Sequence, residues 1–138
     1  MITYTDSLEG LTADQLNGFF VGWPNPPTSE THLRMLRGSD HLWLAKEGER
    51  VVGFVTAISD GVLAAFIPAI EVLPDYQGRG IGSQLMERML GSLVHLYSID
   101  LICDESVQPF YKYVGMQHYS AMILRNYDNQ LGYMGDGD

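Results

Sequence analysis

The spacing of hydrophobic and polar positions changes several times along the chain, and each change marks an element boundary. Ile2-Thr3-Tyr4 reads as a short first strand. Thr12-Ala13-Asp14-Gln15 fits a capping box and predicts a helix through about Phe20. Gly22-Trp23-Pro24-Asn25-Pro26-Pro27 cannot continue it, because its prolines remove donors and fix φ. A second helix is predicted from Ser29 to Arg37, with Leu33, Met35 and Leu36 on or near its inner face. The period then shortens. His41–Ala45 and Val51–Ile58 read as hairpin partners around Glu47-Gly48-Glu49, and Asp60-Gly61 signals another turn. Leu63–Val72 is a long apolar run, and Pro68 within it predicts an irregular point where a ladder hydrogen bond is lost.

From Ile81 the pattern is helical. Ile81, Leu85, Met89 and Leu93 recur at intervals of four, widened by Met86 and Leu90, which predicts a helix to about Leu96. Ile99–Cys103 is a further strand, Val107–Tyr113 a short helix stopped near Gly115, and Met116–Tyr127 one or two closing strands in which Tyr119, Ala121 and Ile123 alternate. Antiparallel strands followed by a strand–helix–strand–helix–strand half predict a mixed α+β fold.

Length and charge narrow this. The chain has 138 residues, read as one domain over 1–127 and a mobile, acidic, glycine-rich tail over 128–138. A formal net charge of -9 argues against binding nucleic-acid phosphates. It is consistent either with a cationic partner such as an amine or simply with solubility. No apolar run reaches membrane-spanning length, and the first residues lack the basic and apolar parts of a signal peptide. Cys103 is the lone cysteine, which excludes an internal disulfide and suits a reducing cytoplasm. The Cys and His positions show no metal-ligand spacing.

The chemistry concentrates where the fourth strand becomes the long helix. Gly78, Gly80 and Gly82 alternate there. Glycines let backbone approach a ligand closely, and a helix start offers free N–H groups and the positive end of the dipole. Together they make an anion cradle, with Arg79 adding charge at its mouth. Other phosphate motifs fit less well: Gly82-Ser83 has no Walker lysine, and the spacing is G-x-G-x-G rather than G-x-G-x-x-G.

The stretch Val72-x-Pro74-x-x-Gln77-Gly78-Arg79-Gly80-Ile81-Gly82-x-x-Leu85 resembles the acyl-CoA-binding signature of the GNAT-type N-acetyltransferase superfamily. Phe110-Tyr111-Lys112-Tyr113-Val114-Gly115-Met116 is similar to a second element of that family, and the likeness spans roughly residues 2–127. Asp104, Val107 and Met116 stand where the family often has Asn, Ala and Phe. The resemblance implies a twisted, mostly antiparallel sheet of six to seven strands with about four helices, its fourth and fifth strands splayed around the pantetheine arm. It implies acetyl-CoA as donor, held by Ile70, Val72, Gln77, Gly78, Arg79, Gly80, Ile81, Gly82, Ser83, Asp104 and Tyr111. Backbone N–H groups near Ile70 or Val72 would polarise the thioester carbonyl. Tyr111 matches the family's proton donor to the leaving thiolate.

The implied reaction is direct acetyl transfer to a primary amine in a ternary complex, without an acyl-enzyme; a CoA-binding regulatory module is the alternative. An alkylammonium must lose its proton before attack. Glu71 is the first candidate base, with Asp104, Glu105 or a water chain as others. Trp23 and Asn25 either contact the acceptor or belong to a plain structural loop. His32, His41, His95 and His118 read as ordinary core or surface residues, and Cys103 as core. The acceptor, a small-molecule or peptide amine, is not legible, and a homodimer is compatible with the family.

Overall fold

The computed structural model describes residues 1–135. Its centre is a five-stranded sheet in the order β1 (Ile2–Thr5), β2 (His41–Glu47), β3 (Arg50–Ser59), β4 (Ala64–Val72) and β5 (Ser98–Leu101). The first four are antiparallel neighbours, and β5 joins β4 in parallel. Three α-helices accompany the sheet: α1 (Ser29–Gly38), α2 (Ile81–Ser92) and α3 (Gln108–Tyr113).

β3 is buried from Val51 to Ala57 because both its faces are covered. On one face α2 lays down Ile81, Leu85, Met86 and Met89. The approach is close at Gly53, where an added Cβ would sit 3.1 Å from Leu85 Cδ1 and 3.3 Å from Ile81 Cγ2. The other face carries an aromatic cluster. Phe54 stacks edge-on against Phe19 and His32, with ring centroids 5.1 and 4.4 Å apart. α1 delivers His32, Leu33 and Leu36 to the core from a start capped by Thr28, whose Oγ1 accepts from Thr31 N at 3.1 Å. Met35, expected near that inner face, is exposed.

Pro68 marks the break the sequence predicts. The β3–β4 register slips between Thr56 and Ile58, so β4 carries an extra residue opposite Ala57. The β4–β5 pairing ends just before it, at Ile67↔Leu101. Beyond that point β4 and β5 part, and β4 continues to Val72 paired only with β3. This is the expected splay.

Several elements are shorter than the periodicity predicts. The capping box at Thr12 forms, with Thr12 N donating to Gln15 Oε1 at 3.0 Å, but it closes only a 3-10 turn, Ala13–Leu16. Asn17 turns extended, and Gly18 and Phe20 take φ of 97° and 63°, so no helix reaches Phe20. α2 stops at Ser92 rather than Leu96, because Tyr97 and Ser98 N–H already donate to Leu63 O as β5 begins. Among the described residues three α-helices stand where about four were expected, and five strands where six or seven were. The missing strands belong to Met116–Tyr127. That stretch alternates correctly, but a strand also needs a neighbour. Met116 N donates to Tyr111 O, and no backbone N–H from residue 117 to 126 finds a backbone acceptor among the described residues.

The tail does not all hang free. Arg34 Nη2 donates to Tyr133 O at 2.7 Å, and Asn25 N to Gln130 Oε1 at 3.2 Å. The rest of the expected tail, residues 136–138, lies outside the described residues.

Candidate functional site

β4 leaves the sheet core into a 3-10 turn, Pro74–Tyr76, and then into the glycine segment. Leu73 N donates to Val52 O at 2.9 Å, so Leu73 faces β3. Backbone direction alternates along a strand, which turns the N–H and C=O of Val72, and of Ile70 before it, away from β3. They face the opening where β5 has withdrawn. Val72 O is met there by Gln77, whose Nε2 donates to it at 3.0 Å.

Gly78 and Gly80 have φ of 77° and 81°, left-handed angles that side-chain-bearing residues avoid. A Cβ at either would meet no protein atom within 4 Å, so both border open space. Gly80 is the N-cap of α2, and no side chain caps it. Gln84 N returns to Gly80 O at 3.1 Å, which leaves the N–H groups of Ile81, Gly82 and Ser83 without intrahelical partners. Around them lies a concavity of about 290 Å³, lined by Val72, Tyr76, Gln77, Gly78, Gly80, Ile81, Gly82, Ser83 and Phe110. Free N–H donors, the positive end of a helix dipole and no acidic residue in the first turn suit an anion.

Seven of the expected donor-site residues therefore share one concavity. Two lining residues, Tyr76 and Phe110, were not assigned from sequence. Phe110 belongs to the Phe110-Tyr111 element that resembles the family's; Tyr76 is carried in by the 3-10 turn and tied by its hydroxyl to Glu47 Oε1 at 2.6 Å. Gly82 differs from the other two glycines. Its φ is ordinary, and a Cβ there would rest 3.6 Å from the Phe110 ring. Arg79 stays outside the lining: its Nη2 donates to Asp75 O at 3.0 Å and its guanidinium lies over the Tyr76 ring. Asp104 is exposed and lines neither this concavity nor the next, its carbonyl accepting from Val107 N.

Tyr111 sits one residue beyond Phe110, ring against ring in a T-shape at 5.0 Å. It lines an adjacent cavity of about 180 Å³ with Leu101, Ile102 and Cys103 on one side and Met116 to Tyr119 on the other. Burial, and to a lesser degree Cys103, pushes the Tyr111 phenol above its usual range, which keeps it protonated. α3 thus spans the splay, with Phe110 towards the glycine segment and Tyr111 towards β5.

Glu71 lies on the other face of β4 from Val72, as alternation requires. Its carboxylate accepts from Phe20 N at 2.9 Å and Val21 N at 3.3 Å. Phe20 is the one non-glycine residue with positive φ among those described, at 63°. The left-handed turn aims two successive N–H groups at the carboxylate. Trp23 then stacks on Phe20, centroids 5.0 Å apart, and remains partly exposed. The structure so joins Glu71 and Trp23, which are distant in sequence, through Phe20; nothing before Phe20 in the chain signals its backbone geometry. Asn25 is exposed further along the same loop.

Behind Phe20 lies His32. It is 1% exposed, packed against Phe19, Phe20 and Phe54, and neither ring nitrogen has a hydrogen-bond partner. Burial lowers its pKa to about 4, so the imidazole is neutral at pH 7. The other three histidines are at or near the surface. No cluster of three or more metal-ligating side chains occurs, and no helix is long and apolar enough to cross a membrane, among the described residues.

Residues 8–116 match the acetyltransferase (GNAT) family. The chain belongs to the GNAT acetyltransferase family. A crystal structure from Deinococcus radiodurans R1, provisionally named an acetyltransferase, superposes with a TM-score of 0.95 at 49% identity, covering 97% of this chain and 94% of that one. The GNAT family protein SP0256 from Streptococcus pneumoniae TIGR4 superposes with a TM-score of 0.75 at 32% identity, covering 91% and 98%. GCN5-related N-acetyltransferase 1, chloroplastic, from Arabidopsis thaliana is 35% identical over 112 residues, which is 78% of this chain and 57% of that protein. The chain spans about half the length of the curated relatives it matches. The family expected from the two sequence elements and the mixed α/β GNAT fold are thus the ones found.

Proposed function

We propose that this protein is an acetyl-CoA-dependent N-acyltransferase that moves an acetyl group to a primary amine by direct attack in a ternary complex. The observation that carries the reading is the uncapped start of α2 behind two left-handed glycines, open to the splay between β4 and β5. Coenzyme A supplies an activated thioester and a polyanionic handle. The N–H groups of Ile81, Gly82 and Ser83 fit a pyrophosphate, and Phe110 closes the far wall. Arg79, beside the mouth, adds positive charge without entering it.

The outward N–H groups of Ile70 and Val72 polarise the acyl carbonyl, an effect strongest where water is excluded. Tyr111, held protonated by burial, donates its proton to the departing sulfur. Glu71, held from behind by Phe20 and Val21 N–H, receives the ammonium of the acceptor and takes its proton, directly or through water. Trp23, and Asn25 further along the loop, border the acceptor on that face. The acidic chain favours a cationic small molecule or peptide. Asp104, three residues past the end of β5 and outside both cavities, is not assigned a contact with the donor. One unpaired cysteine fits a reducing compartment such as the cytoplasm.

The test is thiol release from acetyl-CoA against a panel of amines at fixed donor concentration. Amine-dependent thiol release supports the transferase. Tight CoA binding with no turnover on any amine would instead leave a CoA-binding module. Stabilisation by ATP or NAD but not by acetyl-CoA would remove the donor assignment altogether.

A further inference from the structure

His32 carries both of its ring nitrogens into the core without a hydrogen-bond partner in the protein, on a side chain that is 1% exposed. A polar group taken out of water unpaired is costly, so a position that needed only volume would be better served by leucine or phenylalanine. The neutral imidazole offers one N–H donor and one bare acceptor nitrogen. The rings of its neighbours Phe19, Phe20 and Phe54 supply no conventional partner for either.

The imidazole also borders a crevice of about 50 Å³ between the 3-10 turn after Thr12 and the start of α1. Leu16 and residues 18–20 form one wall, and residues 27–29 with His32 form the other. Gly18 and Thr28 are exposed, so the crevice reaches solvent. A water molecule needs ~10–15 Å³ of such space and a few polar partners. Thr28 and Ser29 bring hydroxyls to the same wall, and Ser29 Oγ already donates to Asn17 Oδ1 at 3.0 Å. No lining side chain except His32 is titratable. A ring that donates once and accepts once, facing no charge, matches water rather than an ion.

The crevice abuts Phe20. Its φ of 63° is one that a bulky residue holds only when its surroundings over-determine it. The ring is gripped by His32 at 4.9 Å and Trp23 at 5.0 Å. Its N–H and that of Val21 meet the Glu71 carboxylate at 2.9 and 3.3 Å. Phe20 thus touches both the imidazole and the carboxylate. Were its turn to relax to negative φ, the N–H would swing away from Glu71.

We propose that the crevice is a hydration site, with an ordered water hydrogen-bonded to His32, and that His32 acts through it as a positioning residue that holds the Phe20 turn and so the Glu71 carboxylate. The catalytic consequence rests on the reading of Glu71 as the acceptor's base; the water and the turn do not.

A crystal structure at high resolution should show a water peak within ~2.7–3.2 Å of one His32 ring nitrogen. A crevice without ordered solvent would overturn the site. So would a peak that bromide replaces with its anomalous signal, which marks an anion. This test needs no variant and stands even where a core substitution unfolds the chain. The turn is read by proton–nitrogen correlation NMR, because the Phe20 and Val21 amides shift as the carboxylate they donate to takes up a proton. His32→Leu keeps much of the volume and removes both nitrogens, whereas His32→Gln keeps a donor and an acceptor. The pH-dependent shift of both amides should be lost in His32→Leu and return in His32→Gln. The kcat should follow the same order, about tenfold lower in His32→Leu at unchanged KM for acetyl-CoA. An intact shift in His32→Leu would overturn the positioning role. A shift lost alike in both variants would also overturn it, because ring packing rather than hydrogen bonding would then hold the turn. A wild type inactive on every amine, with amide shifts that still follow His32, would sink the transferase reading and support the positioning role.

Discussion

The glycine segment and the Glu71–Phe20 contact lie on opposite faces of β4 and are built on opposite principles. The cradle is one continuous stretch of chain, Val72 to Ser83, plus Phe110. Its donors are backbone N–H groups, and its shape follows from angles that glycine alone adopts freely. The Glu71 face draws Phe20, Trp23 and His32 from the first third of the chain towards β4. Its donors are also backbone N–H groups, but they are aimed by a strained phenylalanine turn over a buried histidine. A site made of backbone tolerates side-chain change and fails when backbone angles fail. A site assembled from distant side chains fails one contact at a time and responds to pH.

Substitutions can break this contrast. Gly80→Val demands a left-handed angle of a β-branched residue and puts its side chain into the cradle. CoA affinity by calorimetry should fall at least about 100-fold. Gly82→Ala, at an ordinary angle with room beside Phe110, should change it only about threefold. Equal losses at both positions would show that space rather than backbone angle governs the cradle.

His32 sets the next effect. Its folded pKa of about 4 lies below the 6.5 of the unfolded chain. Between those values the unfolded state binds a proton that the native state does not, so stability is intact above pH 6.5 and falls as pH drops towards 4. The full loss is about 3 kcal/mol. Urea unfolding of wild type and His32→Leu at pH 7.5, 5.5 and 4.5 should show this acid slope in the first and a flatter one in the second. Persistence of the slope in the variant would assign it to carboxylates elsewhere.

Glu71→Gln keeps the shape but sets an amide N–H₂ against the Phe20 or Val21 donor and removes the charge offered to an ammonium. The kcat should fall about 30-fold at neutral pH, with CoA affinity unchanged. A matching fall in CoA affinity would mean that the two faces of β4 are not independent. Tyr111→Phe should be milder, about tenfold in kcat, with the loss shrinking for thioesters whose thiol is a stronger acid. A loss indifferent to the leaving group would make Tyr111 a packing residue.

The same contrast explains how much could be read from the chain. The backbone of the glycine segment is legible in the chain, because Gly78 and Gly80 at a strand-to-helix junction specify left-handed angles and free donors locally, whereas Gly82 sits at an ordinary angle. Pro68 likewise announced the bulge at which β4 and β5 part, since proline cannot complete a ladder. The hairpins and the apolar stripe of α2 followed from period alone. The capping box at Thr12 forms as its sequence predicts, but no helix follows it: the positive φ of Gly18 and of Phe20, whose N–H meets Glu71, ends the turn. The strands expected over Met116–Tyr127 had the right alternation and no partner within the described chain.

Sequence by itself determined the family, the mixed sheet-and-helix layout and the glycine-rich start of α2, because each is written in the local order of residues. Tertiary structure alone decided that Glu71 meets Phe20 and Val21, that His32 is neutral and unpartnered, and that the edge of β5 is open. Those facts depend on which surfaces the fold brings together and removes from water, and burial of this kind has no local signature in the order of residues.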